Sequence, residues 1–223
     1  MKNPHITLAL PLVLTLPLLA LLCAPNLVAQ AAPDKALIRR VHDHYNHLHT
    51  LRARYTEHYT GMGMDRSESG TVTLKKPGLM RWNYDAPSGK LFVLDGKYAW
   101  FYTPGDAQVS RAPAKQLDDL RSPLRLLLGH TQLAKELDQL ATAADGANFL
   151  ISGVPKGMAE RVHLLTLIVD ASGAIQRMKL EETDGATTEF TFSQIEENIP
   201  LPPADFTYTP PPGIPVVEAQ PPI

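Results

Sequence analysis

The segment from Lys75 to Gly105 constrains the fold more than any other part of this 223-residue chain. It holds both tryptophans and five further aromatic residues, in short apolar runs of strand length. Turn signals separate the runs, because Pro presets φ and Gly permits positive φ, and Asp95-Gly96 is a strong two-residue hairpin signal. The pattern predicts an antiparallel meander. Side-chain alternation places Met80 and Trp82 on one face of its first strand, and that face must cover apolar material.

The same reasoning extends along the rest of the chain. Pro33-Asp34 opens an amphipathic helix whose apolar stripe includes Tyr45 and Leu48. At Leu51 the apolar period changes from that of a helix to that of a strand. Gly61 to Asp65 is predicted to be a loop. Further strands are predicted at 68–75, 79–84, 90–94, 97–103, 107–112, 148–154, 160–169, 174–182 and 186–196, with a short edge strand at 206–208.

A helical interruption is predicted in the middle of the chain. Ser122-Pro123 and Gly129 bound one short helix, which carries Leu124 and Leu127. A second short helix is predicted from Thr131, with Leu133, Leu137 and Leu140 on one face. One helix, many strands, a helical interruption and more strands predict an α+β domain, with helices lying across one face of a large curved antiparallel sheet.

The two ends of the chain have their own composition. Residues 1–31 are predicted to be a secretory signal peptide cleaved after Ala31, with Lys2 at its start and an apolar run after it. Removing these 31 residues would leave 192, without the chain's one cysteine, Cys23, and would change the formal charge from −2 to −3 because Lys2 is lost. Disulfides and thiol catalysis are then excluded, and nothing electrostatic favours nucleic acid. Residues 32–209 are predicted to form one domain, and 210–223 an extended or disordered Pro-rich tail.

No nucleophile, acid–base set or phosphate-binding motif stands out, so we expect a protein that is not an enzyme and has no cofactor. The histidine tract at His42, His44, His47 and His49 resembles a metal site in composition. A helix turns by about 100° per residue, so these side chains diverge and cannot converge on one ion. We therefore expect no specific metal site.

Four passages carry a resemblance to a known family. They are the helix-to-strand passage 48–57, residues 70–82 with a Lys-Pro turn and an aromatic strand, Asp95-Gly96-Lys97 leading to Trp100-Phe101-Tyr102, and the ending 206–210 followed by Gly213. In order and spacing the chain resembles the periplasmic outer-membrane lipoprotein carriers (LolA-like). The resemblance implies an incomplete, half-open antiparallel β-barrel whose concave hydrophobic face is covered by helices.

The resemblance also implies a function and a set of lining residues. A soluble periplasmic chaperone of this kind would shield the acyl chains of lipoproteins, receive them from an inner-membrane release transporter and hand them to an outer-membrane acceptor. Lys76 stands where family members often carry an arginine thought to hold a lid shut, and a lysine offers donors on a flexible stem, not a planar fork. The lipid-lining residues implied by position are Met80, Trp82 and Phe92 from the sheet, and Tyr45, Leu48, Leu124 and Leu127 from the helices.

Two other functions are compatible with these residues. The same hollow could carry another lipid or a glycolipid, which the lysine at position 76 leaves open. A third hypothesis is a periplasmic sensor or scaffold domain that docks a protein on its concave face, since a fold does not fix a function. In each case we expect a monomer, and the cargo distinguishes the hypotheses.

Overall fold

The computed structural model describes residues 33–115 and 132–218. The first element is helix α1 (Lys35–His47), which begins as predicted because the Asp34 carboxylate accepts hydrogen bonds from the backbone N–H groups of Ala36 and Leu37. Its buried residues, spaced four apart, are Leu37, Val41 and Tyr45. The predicted signal peptide and the helix predicted between Ser122 and Gly129 lie outside the described residues.

Over the described ranges, the strands form one sheet. They are β1 (Thr50–Gly61), β2 (Met64–Lys75), β3 (Leu79–Tyr84), β4 (Leu91–Asp95), β5 (Tyr98–Tyr102), β6 (Val109–Pro113), β7 (Leu137–Asp145), β8 (Asn148–Pro155), β9 (Val162–Val169), β10 (Ile175–Glu182), β11 (Thr187–Glu197) and β12 (Val216–Glu218). A short helix α2 (Leu133–Glu136) precedes β7, and a 3-10 helix (Pro203–Phe206) follows β11.

The sheet has the order β12-β6-β5-β4-β3-β2-β1-β11-β10-β9-β8-β7. Neighbouring strands are antiparallel except β12 and β6, which are parallel. Among the described residues, β12 and β7 form its two edges and do not pair with each other, so this sheet does not close on itself. The predicted α+β class with a large open antiparallel sheet is confirmed, and a concave face covered by helices stays a prediction.

Ring contacts show that the sheet curves. Trp82 on β3 and Phe190 on β11 are separated by two intervening strands, β2 and β1. At about 4.8 Å between neighbouring strands, their backbones in a flat sheet would lie about 14 Å apart, with side chains standing roughly perpendicular to it. The ring centroids are nevertheless 5.5 Å apart. The sheet therefore bends toward the face that carries these rings, which we call the inner face.

The structure corrects three local predictions. The second predicted helix ends at Glu136, and Leu137 begins β7, because β8 pairs with this segment along its length. The predicted loop after Gly61 is only a two-residue turn, since β2 starts at Met64 and pairs directly with β1. No strand forms at 206–208, because Phe206 ends the 3-10 helix.

The C-terminal segment packs on the outer face of the sheet. A second hydrophobic cluster there joins Val93 and Trp100 to Tyr208 and Ile214. Beyond it, β12 adds to the free edge of β6, so residues 216–218 of the predicted tail are strand. No helix in the described part of the chain is long and apolar enough to cross a membrane.

Candidate functional site

The predicted lining residues that the structure describes lie in one hydrophobic cluster. Trp82 is directly opposite Phe92 in the pairing of β3 and β4, and Met80 is opposite Leu74 in that of β2 and β3. Helix α1 brings Tyr45 to the same cluster. Leu124 and Leu127 lie outside the described residues, so their lining role stays a prediction. The exposed fractions are 3% for Tyr45, 1% for Leu48, 1% for Met80, 2% for Trp82 and 7% for Phe92.

An aromatic group surrounds Trp82 on the inner face. The Tyr55 ring on β1 lies 4.5 Å from that of Trp82 and 5.8 Å from that of Tyr84, both edge-on. Between these strands, at the level of Tyr55, β2 carries Gly70. A Cβ atom on Gly70 would lie 2.8 Å from the Tyr55 hydroxyl, so only glycine lets the tyrosine ring cross β2 to reach β3.

Two polar atoms in this group make no well-formed hydrogen bond with a described residue. They are Tyr55 Oη and Trp82 Nε1, and both are buried. Burial raises the pKa of Tyr55 well above its usual range, which keeps its hydroxyl protonated and able to donate. Burial also raises the pKa of Tyr84 to about 12, although its contact with the Tyr55 hydroxyl lowers it. At neutral pH the group therefore presents O–H and N–H donors inside an apolar surface.

Charged side chains lie on the same face, further along the strands. Glu57 is opposite Glu68 in the pairing of β1 and β2. Glu68 forms an ion pair with Lys90, whose Nζ also lies 4.2 Å from the centre of the Tyr84 ring. Burial and then the charge of Glu68 raise the pKa of Glu57, while Arg66 and Lys90 lower it. Along β1 and β2 the inner face thus changes from apolar, near α1, to ionic.

Lys76 joins the sheet to the last turn of α1. Its Nζ donates a hydrogen bond to the backbone carbonyl of Tyr45, one of the carbonyls a helix leaves unpaired at its C-terminus. Burial lowers the pKa of Lys76. The Tyr45 hydroxyl accepts a hydrogen bond from the Ile175 N–H at 3.1 Å. Tyr45 is therefore held through its backbone carbonyl by Lys76 and through its side chain by β10. The helix that Lys76 contacts is α1. The predicted gating role of Lys76 stays a prediction.

The histidine tract has separate partners. His44 Nε2 lies 2.8 Å from Glu197, and His47 Nδ1 lies 2.7 Å from the carbonyl of Asp43. Among the described residues no three His, Cys, Asp or Glu side chains are placed to hold one metal ion. A cavity of about 360 Å³ lies beside α1 here, lined by Arg40, Asp43, His44, His47, Leu48, Ser172, Glu197 and Asn198.

Sequence reasoning left Tyr55 and Phe190 out of the candidate site. Both lie beside Trp82 because the sheet bends, and bending is a property of many strands together that no local pattern encodes. One signal was available for Tyr55. An isolated glycine in a strand, such as Gly70, indicates a close approach by another group.

Comparison with known proteins agrees with this architecture. A family model described as outer membrane lipoprotein carrier protein LolA matches residues 46–209. The outer-membrane lipoprotein carrier protein of Nitrosomonas europaea is 32% identical over 154 residues, which are 68% of this chain and 73% of that protein. The outer-membrane lipoprotein carrier protein of Pseudomonas aeruginosa is 30% identical over 191 residues, which are 84% of this chain and 90% of that protein. A solved structure of an uncharacterized conserved protein from Thermus thermophilus has a TM-score of 0.53 at 15% identity, covers 82% of this chain and 98% of that one, and is alike in fold alone. The chain belongs to the outer membrane lipoprotein carrier family.

Proposed function

We propose that this protein is a periplasmic carrier that shields the acyl chains of lipoproteins on their way from the inner to the outer membrane. The observation that carries the proposal is the inner face, where Trp82, Phe92 and Tyr45 meet in one apolar cluster on a sheet that does not close. The names of the similar proteins support the same cargo. An inner-membrane release transporter and an outer-membrane acceptor are the partners this function requires.

The physical need for such a carrier follows from the hydrophobic effect. Each methylene group exposed to water costs about 0.8 kcal/mol, so an acylated protein cannot cross an aqueous compartment with its chains uncovered. Contact with an apolar inner face would remove the acyl chains from water. Since Met80 and Trp82 are only 1% and 2% exposed, a ligand reaches them after a covering element moves. The proposed cycle therefore has a closed state and an open, loaded state.

Trp82→Glu tests this function. A carboxylate at this position would stand unpaired against the acyl chains, so we expect at least a tenfold loss of lipoprotein loading. The matched control is Trp100→Glu, which places the same charge in the outer cluster, where Trp100 is 8% exposed. Loading would be measured as the lipoprotein released from inner-membrane vesicles in complex with each variant, after circular dichroism has shown that both variants are folded.

The outcomes separate the three hypotheses. Normal loading by folded Trp82→Glu protein would contradict the carrier mechanism. Mass spectrometry of material copurified with the wild-type protein identifies the cargo, and recovery of a glycolipid instead of a lipoprotein would favour a carrier of another lipid. Loss of a bound protein, without any effect on lipid, would favour a docking domain.

A further inference from the structure

The buried donors of Tyr55 and Trp82 call for an acceptor. Folded proteins pair nearly all buried polar groups, because an unpaired one has lost its water without compensation. Tyr55 is 1% exposed and Trp82 is 2% exposed. Trp82 Nε1 has no partner in the described part of the chain, and the contact of Tyr55 Oη with Tyr84 falls short of a well-formed hydrogen bond. The indole N–H can only donate, so its partner has to bring an acceptor atom.

The two donors belong to neighbouring rings. The Tyr55 and Trp82 centroids are 4.5 Å apart, and the ring planes meet at 68°. The contact exists because Gly70, which has no side chain, lies under the tyrosine on the intervening strand. An acceptor group that reaches one ring is therefore beside the other as well.

The surroundings of the donors are graded in polarity. Toward α1, the inner face consists of apolar side chains such as Leu74 and Met80. In the other direction, two residues beyond Tyr55 on β1, it carries Glu57, with Glu68 and Lys90 beside it. The donors lie at the boundary. In an acylated molecule the group found between the alkyl chain and the polar head is the ester or amide carbonyl, which is an acceptor.

We propose that Tyr55 Oη and Trp82 Nε1 form a subsite for the acyl carbonyl of the ligand, which fixes its orientation with the alkyl chains toward α1 and the polar head toward Glu57 and Lys90. This inference rests on the proposed function, since it needs an acylated ligand on the inner face. It adds a polar specificity element to a surface that would otherwise accept any apolar chain.

A pair of ligands that differ only in the carbonyl tests the subsite. The probes are a synthetic lipopeptide with an S-(dipalmitoyloxypropyl)cysteine, which has ester carbonyls, and its dialkyl ether counterpart, which has none. One net hydrogen bond corresponds to about threefold to tenfold in affinity. By calorimetry, we expect wild-type protein to bind the ester that much more tightly than the ether. In Tyr55→Phe and Trp82→Phe the ratio of ester to ether affinity should fall toward one, whatever each variant does to the affinity for the ether.

Tyr208→Phe is the matched control. Tyr208 Oη is likewise buried without a partner among the described residues, but it lies in the outer cluster, so its removal should leave the ester preference intact. A second readout is the infrared band of a ¹³C-labelled ester carbonyl. Bound to wild-type protein it should shift to lower frequency, and in Tyr55→Phe it should return toward the unbonded position.

The binding results separate the carbonyl subsite from the carrier function. Equal affinity of wild-type protein for ester and ether would refute the carbonyl subsite and leave the carrier function standing. An ester preference that survives in both Tyr55→Phe and Trp82→Phe would refute it as well. Failure of the wild-type protein to bind either lipopeptide would instead refute the proposed function.

Discussion

Glu57 lies in the ionic part of the inner face, next to the aromatic group. It is paired across β1 and β2 with Glu68, and across β1 and β11 with Phe190. Burial is the main cause that raises its pKa, and repulsion by Glu68 adds to it. No hydrogen bond or ion pair joins the Glu57 side chain to another described residue in this arrangement. Its negative charge therefore opposes folding.

The pH dependence follows from that raised pKa. In the unfolded chain Glu57 ionises at its ordinary value of 4.5, and in the folded protein it ionises at a higher pH. Between the two values the folded state binds more protons, so stability falls as the pH rises through this window. We expect Glu57→Gln to raise the melting temperature at pH 7, and to raise it less at pH 4.

Thermal unfolding monitored by circular dichroism at both pH values checks this expectation. Glu196→Gln is the control, because Glu196 is exposed and lies 3.8 Å from Arg52, so its effect should be small at both pH values. A lower melting temperature for Glu57→Gln at pH 7 would mean that the ionised carboxylate stabilises the fold.

At the scale of elements, a lysine is one of the contacts that hold the C-terminus of α1 on the sheet, beside those of Tyr45 with Ile175 and of His44 with Glu197. Lys76 donates to the carbonyl of Tyr45, whereas its neighbour Lys75 donates to the carbonyl of Leu201, at 2.7 Å. The two residues are thus a natural matched pair. Both leave a carbonyl unpaired when replaced by leucine, and only one of those carbonyls belongs to α1.

We expect Lys76→Leu to loosen the last turn of α1. Amide exchange there should become roughly fivefold faster, because the hydrogen bond is worth about 1 kcal/mol. Acyl binding should be unchanged or tighter, and transfer to the acceptor should be impaired, since the balance between open and closed states has changed. Exchange measured by mass spectrometry and a lipoprotein transfer assay would test both parts.

The controls for this experiment are two further variants. Lys75→Leu should leave exchange in α1 and transfer unaffected, and Lys76→Arg should restore both, because a guanidinium can also donate to the carbonyl. Normal exchange and transfer in Lys76→Leu would exclude a gating role for this lysine.

The C-terminal strand is a second element with a testable role. A chain that ends after Gly213 loses Ile214 from the outer cluster and exposes the edge of β6. We expect it to be less stable by about 2 kcal/mol, from the lost burial of apolar side chains, and to self-associate through the free edge. A chain that ends after Glu218 keeps β12 and serves as the control.

Urea unfolding and analytical ultracentrifugation measure the two effects. The ion pair between Arg111 and Glu218 at the surface should contribute little, because exposed pairs are screened by solvent. Equal free energies of unfolding for the two truncated chains would show that β12 does not stabilise the fold.

For the whole molecule, local chemistry in the sequence predicts the elements well and their joint arrangement poorly. The helix begins after Pro33-Asp34 as predicted, and the hairpin predicted at Asp95-Gly96 forms one residue further on, with Gly96 and Lys97 between the strands. Each depends on a few adjacent residues. Leu137 fits a helical stripe equally well, and its place in β7 is decided by pairing with Pro155, a distant residue. A local sequence pattern does not show which distant strand will pair with a segment, and that pairing decides between helix and strand here.

The same limit applies to the candidate site. Alternation predicts that Met80 and Trp82 share a face, and the structure brings both into one cluster with Tyr45. The position of Phe190 beside Trp82 depends on the bend of the sheet, which no local pattern encodes, and for Tyr55 the one signal in the sequence is Gly70. The roles proposed for these residues await the experiments above.

The strand order has a consequence for how the chain folds. Strands β1 to β6 and strands β7 to β11 are each joined to their sequence neighbours, so each series can assemble from successive hairpins. The two series meet in the antiparallel ladder between β1 and β11, which joins residues as far apart as Leu51 and Glu197. Contacts of such long range form slowly, because a large loop must first close. The contact between Trp82 and Phe190 spans this junction, so we expect the complete inner face to form late in folding, after the two series of hairpins.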